Sequence, residues 1–187
     1  MATPLAEQLT ETDAERRALA SVRDATGEVN GGMERHGVRC FLLCELLAER
    51  HSVALDREVI LCAALVHDLG LYPSVSKGGV YTEEGGDLAR ELALEAGWDA
   101  ERAEVCAQAC THHHALTSQW GRGAEVELLR LADRIEVSAG LVRSGLTRAE
   151  VREVFDAAPR DGFYGEVAHL LARALRERPL SLPRIFR

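Results

Sequence analysis

The stretch ILCAALVHDLG, residues 60–70, constrains the fold of this chain more than any other. Asp56 is a good N-cap just ahead of it, residues 60–66 carry no charge, and Gly70 supplies a stop. The pattern predicts a helix from Asp56 to about Gly70 that is apolar nearly all round, and such a helix must be wrapped by other elements. It ends, however, on His67 and Asp68. A buried, unpaired carboxylate costs several kcal/mol or neutralises itself by a pKa shift. A compensating partner is therefore required, either a structural one or a metal ion.

The elements available to wrap it are also helical. Thr12 with Glu15 forms a capping box that opens a helix to about Asp24, and TGEVNGG (26–32) breaks the chain. Further helices are expected over about 34–50, 83–96, 100–113 and 124–144, the last interrupted by Gly145. Thr147 with Glu150 caps a short helix ending before Pro159, and a last helix covers about 163–177. Residues 71–81, LYPSVSKGGVY, form the longest irregular stretch, and the tail RPLSLPRIFR reads as extended. No alternating strand pattern and no repeat is present, so the fold class is all-α.

Composition narrows the function. The 187 residues, 47% hydrophobic, suit one domain with one core. Residues 1–29 are read as an N-terminal helix, 30–145 as the core, and 146–187 as C-terminal helices and tail packed on the same domain. Net charge is −8, from 22 basic and 30 acidic residues, which argues against a duplex nucleic acid partner. No segment reaches the roughly 18 consecutive apolar residues of a membrane span. The polar, acidic start MATPLAEQLTETDAERR resembles neither a signal nor a transit peptide, and a cytoplasmic location is expected. The five cysteines, Cys40, Cys44, Cys62, Cys106 and Cys110, are read as small buried hydrophobes in a reducing compartment.

His36, His67, Asp68 and Asp133 each stand on an otherwise apolar helical face. His36 shares a stripe with Cys40, Leu43 and Leu47; His67 with Ile60, Ala63 and Ala64; Asp133 with Val126, Leu129 and Val137. Two imidazoles and two carboxylates converging from three helices make a mixed N/O site for a divalent ion. Neighbours on a helix diverge by about 100°, so His67 and Asp68 reach one ion only near a helix end. Taken singly, each residue also has an ordinary reading: a surface or core histidine, an exposed aspartate before a stop, or half of an Asp133–Arg134 surface pair.

The segments ERHGVRCFLLCELLAER (34–50), LCAALVHDLGL (61–71) and LLRLADRIEV (128–137) resemble the signatures of the HD-domain superfamily of metal-dependent phosphohydrolases, over about residues 30–145. The resemblance implies a single HD-type helical bundle with its metal between core helices, and ligands at His36, His67, Asp68 and Asp133. Family members with two or three metals carry an added histidine in a pattern like HPEIGA, where this chain has YTEEGG (81–86). One divalent ion per chain, from among Zn, Mn, Fe, Co and Ni, is therefore expected. YTEEGGDLARELALEAGW, THHH (111–114) and APRDGFYGEVAHLLARALRERP are similar to the cyanamide hydratase-like branch, which typically has Phe-Glu where Tyr81-Thr82 stand here.

Polar Glu101, Glu104, Gln108 and Thr111 mark the wet side of the helix before THHH, which turns His113 inward and leaves His112 and His114 pointing elsewhere. Asp68 and His113 are the expected catalytic pair, Asp68 taking the nucleophile's proton and His113 serving substrate or leaving group. Lys77 in the 71–81 loop and His112 are candidate substrate contacts, whereas His51 and His169 read as helix-end or surface residues. The expected activity is hydrolysis of a small polar substrate, by default a phosphate ester. The alternatives are addition of water to a nitrile-type carbon and a non-catalytic metal- or ligand-binding regulatory module. The expected partner is a small molecule, with neither nucleic acid nor membrane, and a homodimer is left open.

Overall fold

The computed structural model describes residues 3–178 and 182–186. The described residues form α-helices and short 3₁₀ turns, with no strand among them. The helices are α1 (Leu5–Leu9), α2 (Asp13–Thr26), α3 (Gly32–His51), α4 (Arg57–Val66), α5 (Tyr81–Glu95), α6 (Ala100–His112), α7 (Ala124–Val137), α8 (Arg148–Ala157), α9 (Phe163–Glu177) and α10 (Leu182–Ile185). No helix among them is long and apolar enough to cross a membrane.

The apolar run of α4 takes the central position. Every residue from Val59 to Val66 is buried, and α2, α3, α5, α6 and α7 all pack against this helix. The expected caps are present. Thr12 and Thr147 each form a capping box, Asp56 Oδ1 accepts from Val59 N, and Asp99 Oδ1 accepts from Arg102 N. All five cysteines are buried free thiols.

Two helix ends differ from the sequence expectation, and both differences bear on the site. Helix α4 stops at Val66, before Gly70; Asp68 then adopts φ −96°, ψ −2°, and a 3₁₀ turn follows at Leu69–Leu71. Gly70 is there for close approach, because a Cβ on it would stand 2.0 Å from the Tyr81 carbonyl oxygen. One turn along α5, a Cβ on Gly85 would stand 2.5 Å from the carbonyl oxygen of His67. The start of α5 is thus pressed against the backbone of residues 67–70, fixing the turn that carries the histidine and aspartate.

Helix α7 ends at Val137, well short of Ser144. Ala139 and Gly140 take positive φ, and their N–H groups donate to Glu136 O and Ile135 O, both at 2.9 Å. This is a left-handed helix termination, and it leaves Val137 45% exposed although it was placed on the Asp133 stripe. Leu182–Ile185 forms a helical turn where an extended tail was expected, while residues 179–181 and 187 of that tail lie outside the described residues.

Candidate metal centre

Helices α4 and α6 end in the same way. His67 and His113 are their C-cap residues, and each imidazole Nδ1 donates to the carbonyl three residues back: to Ala64 O at 2.9 Å and to Cys110 O at 2.5 Å. Each ring therefore takes up a carbonyl that the helix end would leave orphaned. The hydrogen stays on Nδ1, and Nε2 points into the space between the helices. On α3, His36 Nδ1 lies 3.1 Å from Glu136 Oε2. A carboxylate oxygen only accepts, so this contact favours the tautomer with the hydrogen on Nδ1.

The Nε2 atoms of these rings meet. His36 Nε2 and His67 Nε2 are 3.0 Å apart. Asp68 Oδ2 lies 3.5 Å from the first and 3.6 Å from the second, and Asp133 Oδ1 lies 3.6 Å and 3.8 Å from them. All four residues are buried. Asp68 Oδ1, both Asp133 carboxylate oxygens and His113 Nε2 are buried without a hydrogen-bond donor or acceptor to satisfy them. Acceptors crowded together in a low-dielectric interior repel one another unless a cation lies among them.

The donor set fits a divalent ion. Ligand atoms about 2.0–2.2 Å from a shared ion stand roughly 2.8–3.6 Å apart for angles between octahedral and tetrahedral. The distance between the two imidazole Nε2 atoms and those from each of them to the two carboxylates fall in or at that range, except the slightly wide His67–Asp133 edge. Cys40 is close, with Sγ 3.8 Å from His36 Nε2. Burial pushes its thiol pKa well up, and the charges of Asp133 and Glu136 push the same way. A cation bound beside it would draw that proton off, and Sγ lies within 4.8 Å of ligand atoms of His36, His67 and Asp133.

The field of the centre favours positive charge. Burial alone would lower the His67 pKa, but Asp68 and Asp133 outweigh it and hold the group up at about 9, so without an ion Nε2 carries a proton that a bound cation would displace. Burial acts to raise both aspartates, yet the surrounding histidines hold them well below the carboxylate range. His113 goes the other way, to about 4, through burial and then the adjacent His114. It is the imidazole held neutral.

His36, His67, Asp68 and Asp133 converge. His113 Nε2 lies 3.4 Å from Asp68 Oδ1, on the side away from His36. His114 corrects an expectation: it does not point elsewhere, for its Nδ1 stands 3.2 Å from Asp133 Oδ2 and its ring 4.1 Å from that of His113. His112 pairs with Gln108 Oε1 at 3.0 Å, one turn back on α6. Lys77 is exposed, and no ion pair joins it to Asp68 or Asp133 among the described residues. Its loop is shaped by Glu84, which accepts from the N–H groups of Lys77 and Gly79 and from Ser76 Oγ.

Sequence reasoning missed the support behind His36. Glu136 is fully buried; its Oε2 faces His36 and its Oε1 accepts from Arg39 Nε at 2.7 Å. Phe163, the first residue of α9, stacks on the His36 ring with centroids 4.3 Å apart and planes at 16°. The signal was available: Asp133 and Glu136 are i, i+3 on α7, and His36 and Arg39 are i, i+3 on α3, so the two pairs face each other across one interface. Tyr81 was also missed. Buried, it stands 6.1 Å from the His113 ring and 6.2 Å from the His114 ring.

Comparison with curated proteins finds no match. The family model described as HD domain matches residues 33–138, more than half the chain, running from the start of α3 past the end of α7 and including all four converging residues. The chain thus belongs to the HD-domain family, part of a superfamily of metal-dependent hydrolases.

Proposed function

We propose that this protein hydrolyses a small phosphate ester at the centre formed by His36, His67, Asp68 and Asp133. The observation that carries the reading is the meeting of two imidazole Nε2 atoms at 3.0 Å, flanked by two buried carboxylates with unsatisfied oxygens. One divalent ion bound there would act as a Lewis acid and bring the pKa of water toward neutrality.

The chain's own residues would then handle the protons. Asp68 directs Oδ2 at the imidazoles of His36 and His67 and Oδ1 at His113. As the attacking water forms its bond to phosphorus, its proton passes to Asp68 Oδ1. His113 Nε2, 3.4 Å away and neutral, takes that proton and delivers it to the ester oxygen as the phosphorus–oxygen bond breaks. The Nδ1 contact with Cys110 O keeps the ring turned for this exchange.

Protein purified without chelator should carry about one divalent ion per chain and hydrolyse small phosphate monoesters. Two transition metals per chain would overturn the single-ion reading. Turnover of nitriles in place of phosphate esters would show that the same residues serve a hydratase. His113→Ala should lower turnover by roughly 10²–10⁴, the range for a general acid or base, with metal content near wild type. If the variant loses its ion, His113 is a ligand and the proton relay is wrong.

A further inference from the structure

A cavity of about 190 Å³ opens beside Asp133, His113 and His114, with Leu116, Arg134 and Val137 on its walls. Its volume corresponds to about six water molecules at ~30 Å³ each. It lies below the ~300–1,000 Å³ of sites that take drug-sized ligands. Two arginines reach it, and they differ. Arg130 is saturated: Nε and Nη2 donate to the two oxygens of Glu127, and Nη1 donates to Ala115 O. Arg134 is exposed, and its guanidinium has no carboxylate or carbonyl partner among the described residues.

That charge is notable in context. A chain of net charge −8 repels anions at a distance. The acidic groups near Arg134 on α7 do not neutralise it: Asp133 is turned toward His36, His67 and His114, and Glu136 toward His36 and Arg39. Leu116, 74% exposed, and Val137, 45% exposed, give the same opening apolar lips.

We infer that this cavity is the substrate's berth and that Arg134 receives its anionic group, which makes the substrate a small phosphate monoester with a compact apolar remainder. The inference rests on the hydrolase reading above. In so small a space, a phosphate held near Asp133 and His114 is within reach of an arginine on the wall. A guanidinium suits it, since its planar fork of N–H donors matches phosphate oxygens two at a time. The remainder of the ester then lies against Leu116 and Val137. The cavity is open to solvent, so a remainder larger than a short alkyl group or single ring would extend past these lips.

The test compares wild type, Arg134→Gln and Arg134→Lys, each loaded with metal. Calorimetric binding of inorganic phosphate comes first, followed by KM and kcat for an aryl phosphate and a short alkyl phosphate. A charge-assisted hydrogen bond contributes enough that its loss weakens binding by roughly 10–100-fold. Arg134→Gln should weaken phosphate binding and raise KM by that factor, with a smaller change in kcat and with metal content and Tm near wild type. Arg134→Lys should recover part of the affinity. Phosphate binding that ignores Arg134→Gln, or wild type that binds no phosphate, overturns the inference. Arginine-dependent phosphate binding without ester turnover would support the anion site while removing the hydrolase reading, so the two failures are distinguishable.

Discussion

Asp68→Ala is expected to abolish both metal retention and turnover while leaving the helical fold in place. Asp68 is the residue whose two oxygens serve different partners: Oδ2 lies 3.5 Å from His36 Nε2, and Oδ1 lies 3.4 Å from His113 Nε2. The substitution deletes an anionic ligand and also the acceptor that starts the proton relay. Outer-shell changes typically cost 10–100-fold in metal affinity, so loss of an inner carboxylate should exceed about 100-fold. The fold tolerates the change because Asp68 lies past the end of α4 in a turn braced by Tyr81 and Gly85, and its side chain has no hydrogen-bonding role in that turn. Metal analysis of protein purified without chelator, with circular dichroism as the folding control, reads the result. Full metal occupancy in the variant would mean that Asp68 is not a ligand.

The sequence carried the residues of the centre but only part of its geometry, and the reason is local. Helical periodicity places a side chain reliably while the helix continues, which is why His36, Asp133 and the α4 stripe were legible. It fails past a helix end. His113 is the C-cap of α6, so His114 lies beyond the regular wheel, and its turn back toward Asp133 could not be read from the spacing of Glu101, Glu104, Gln108 and Thr111. Gly70 shows the same limit. By sequence it is a helix stop, whereas its requirement comes from the Tyr81 carbonyl on a different helix. Glu136 is not legible, because a glutamate after ADRI reads as solvated until the α3–α7 interface brings Arg39 and His36 to it. Tertiary partners of this kind leave little mark on a single stretch of chain.

Glu136→Ala should be the most destabilising single change near the site, at about 3–5 kcal/mol, the usual cost of breaking a buried ion pair from one side. Arg39 is fully buried and keeps only the carbonyls of Ala158 and Pro159 once the carboxylate is gone. Burial already pushes the Arg39 pKa down by more than Glu136 raises it, while Glu136, despite its own burial, is held low by His36 and Arg39. Arg39 remains charged, since a guanidinium does not deprotonate in a protein. Stability alone would not show that Glu136 positions His36, so two more variants separate the roles. Glu136→Gln keeps an oxygen and the side-chain volume; it should cost less stability yet lower metal affinity by about 10–100-fold, as the His36 ring loses its carboxylate. The double change Arg39→Met with Glu136→Leu removes both charges and should recover much of the lost stability, while metal affinity stays low. Urea unfolding and metal titration of the three proteins check these outcomes. Should Glu136→Gln bind metal as tightly as wild type, the carboxylate contributes to folding and does nothing to orient His36.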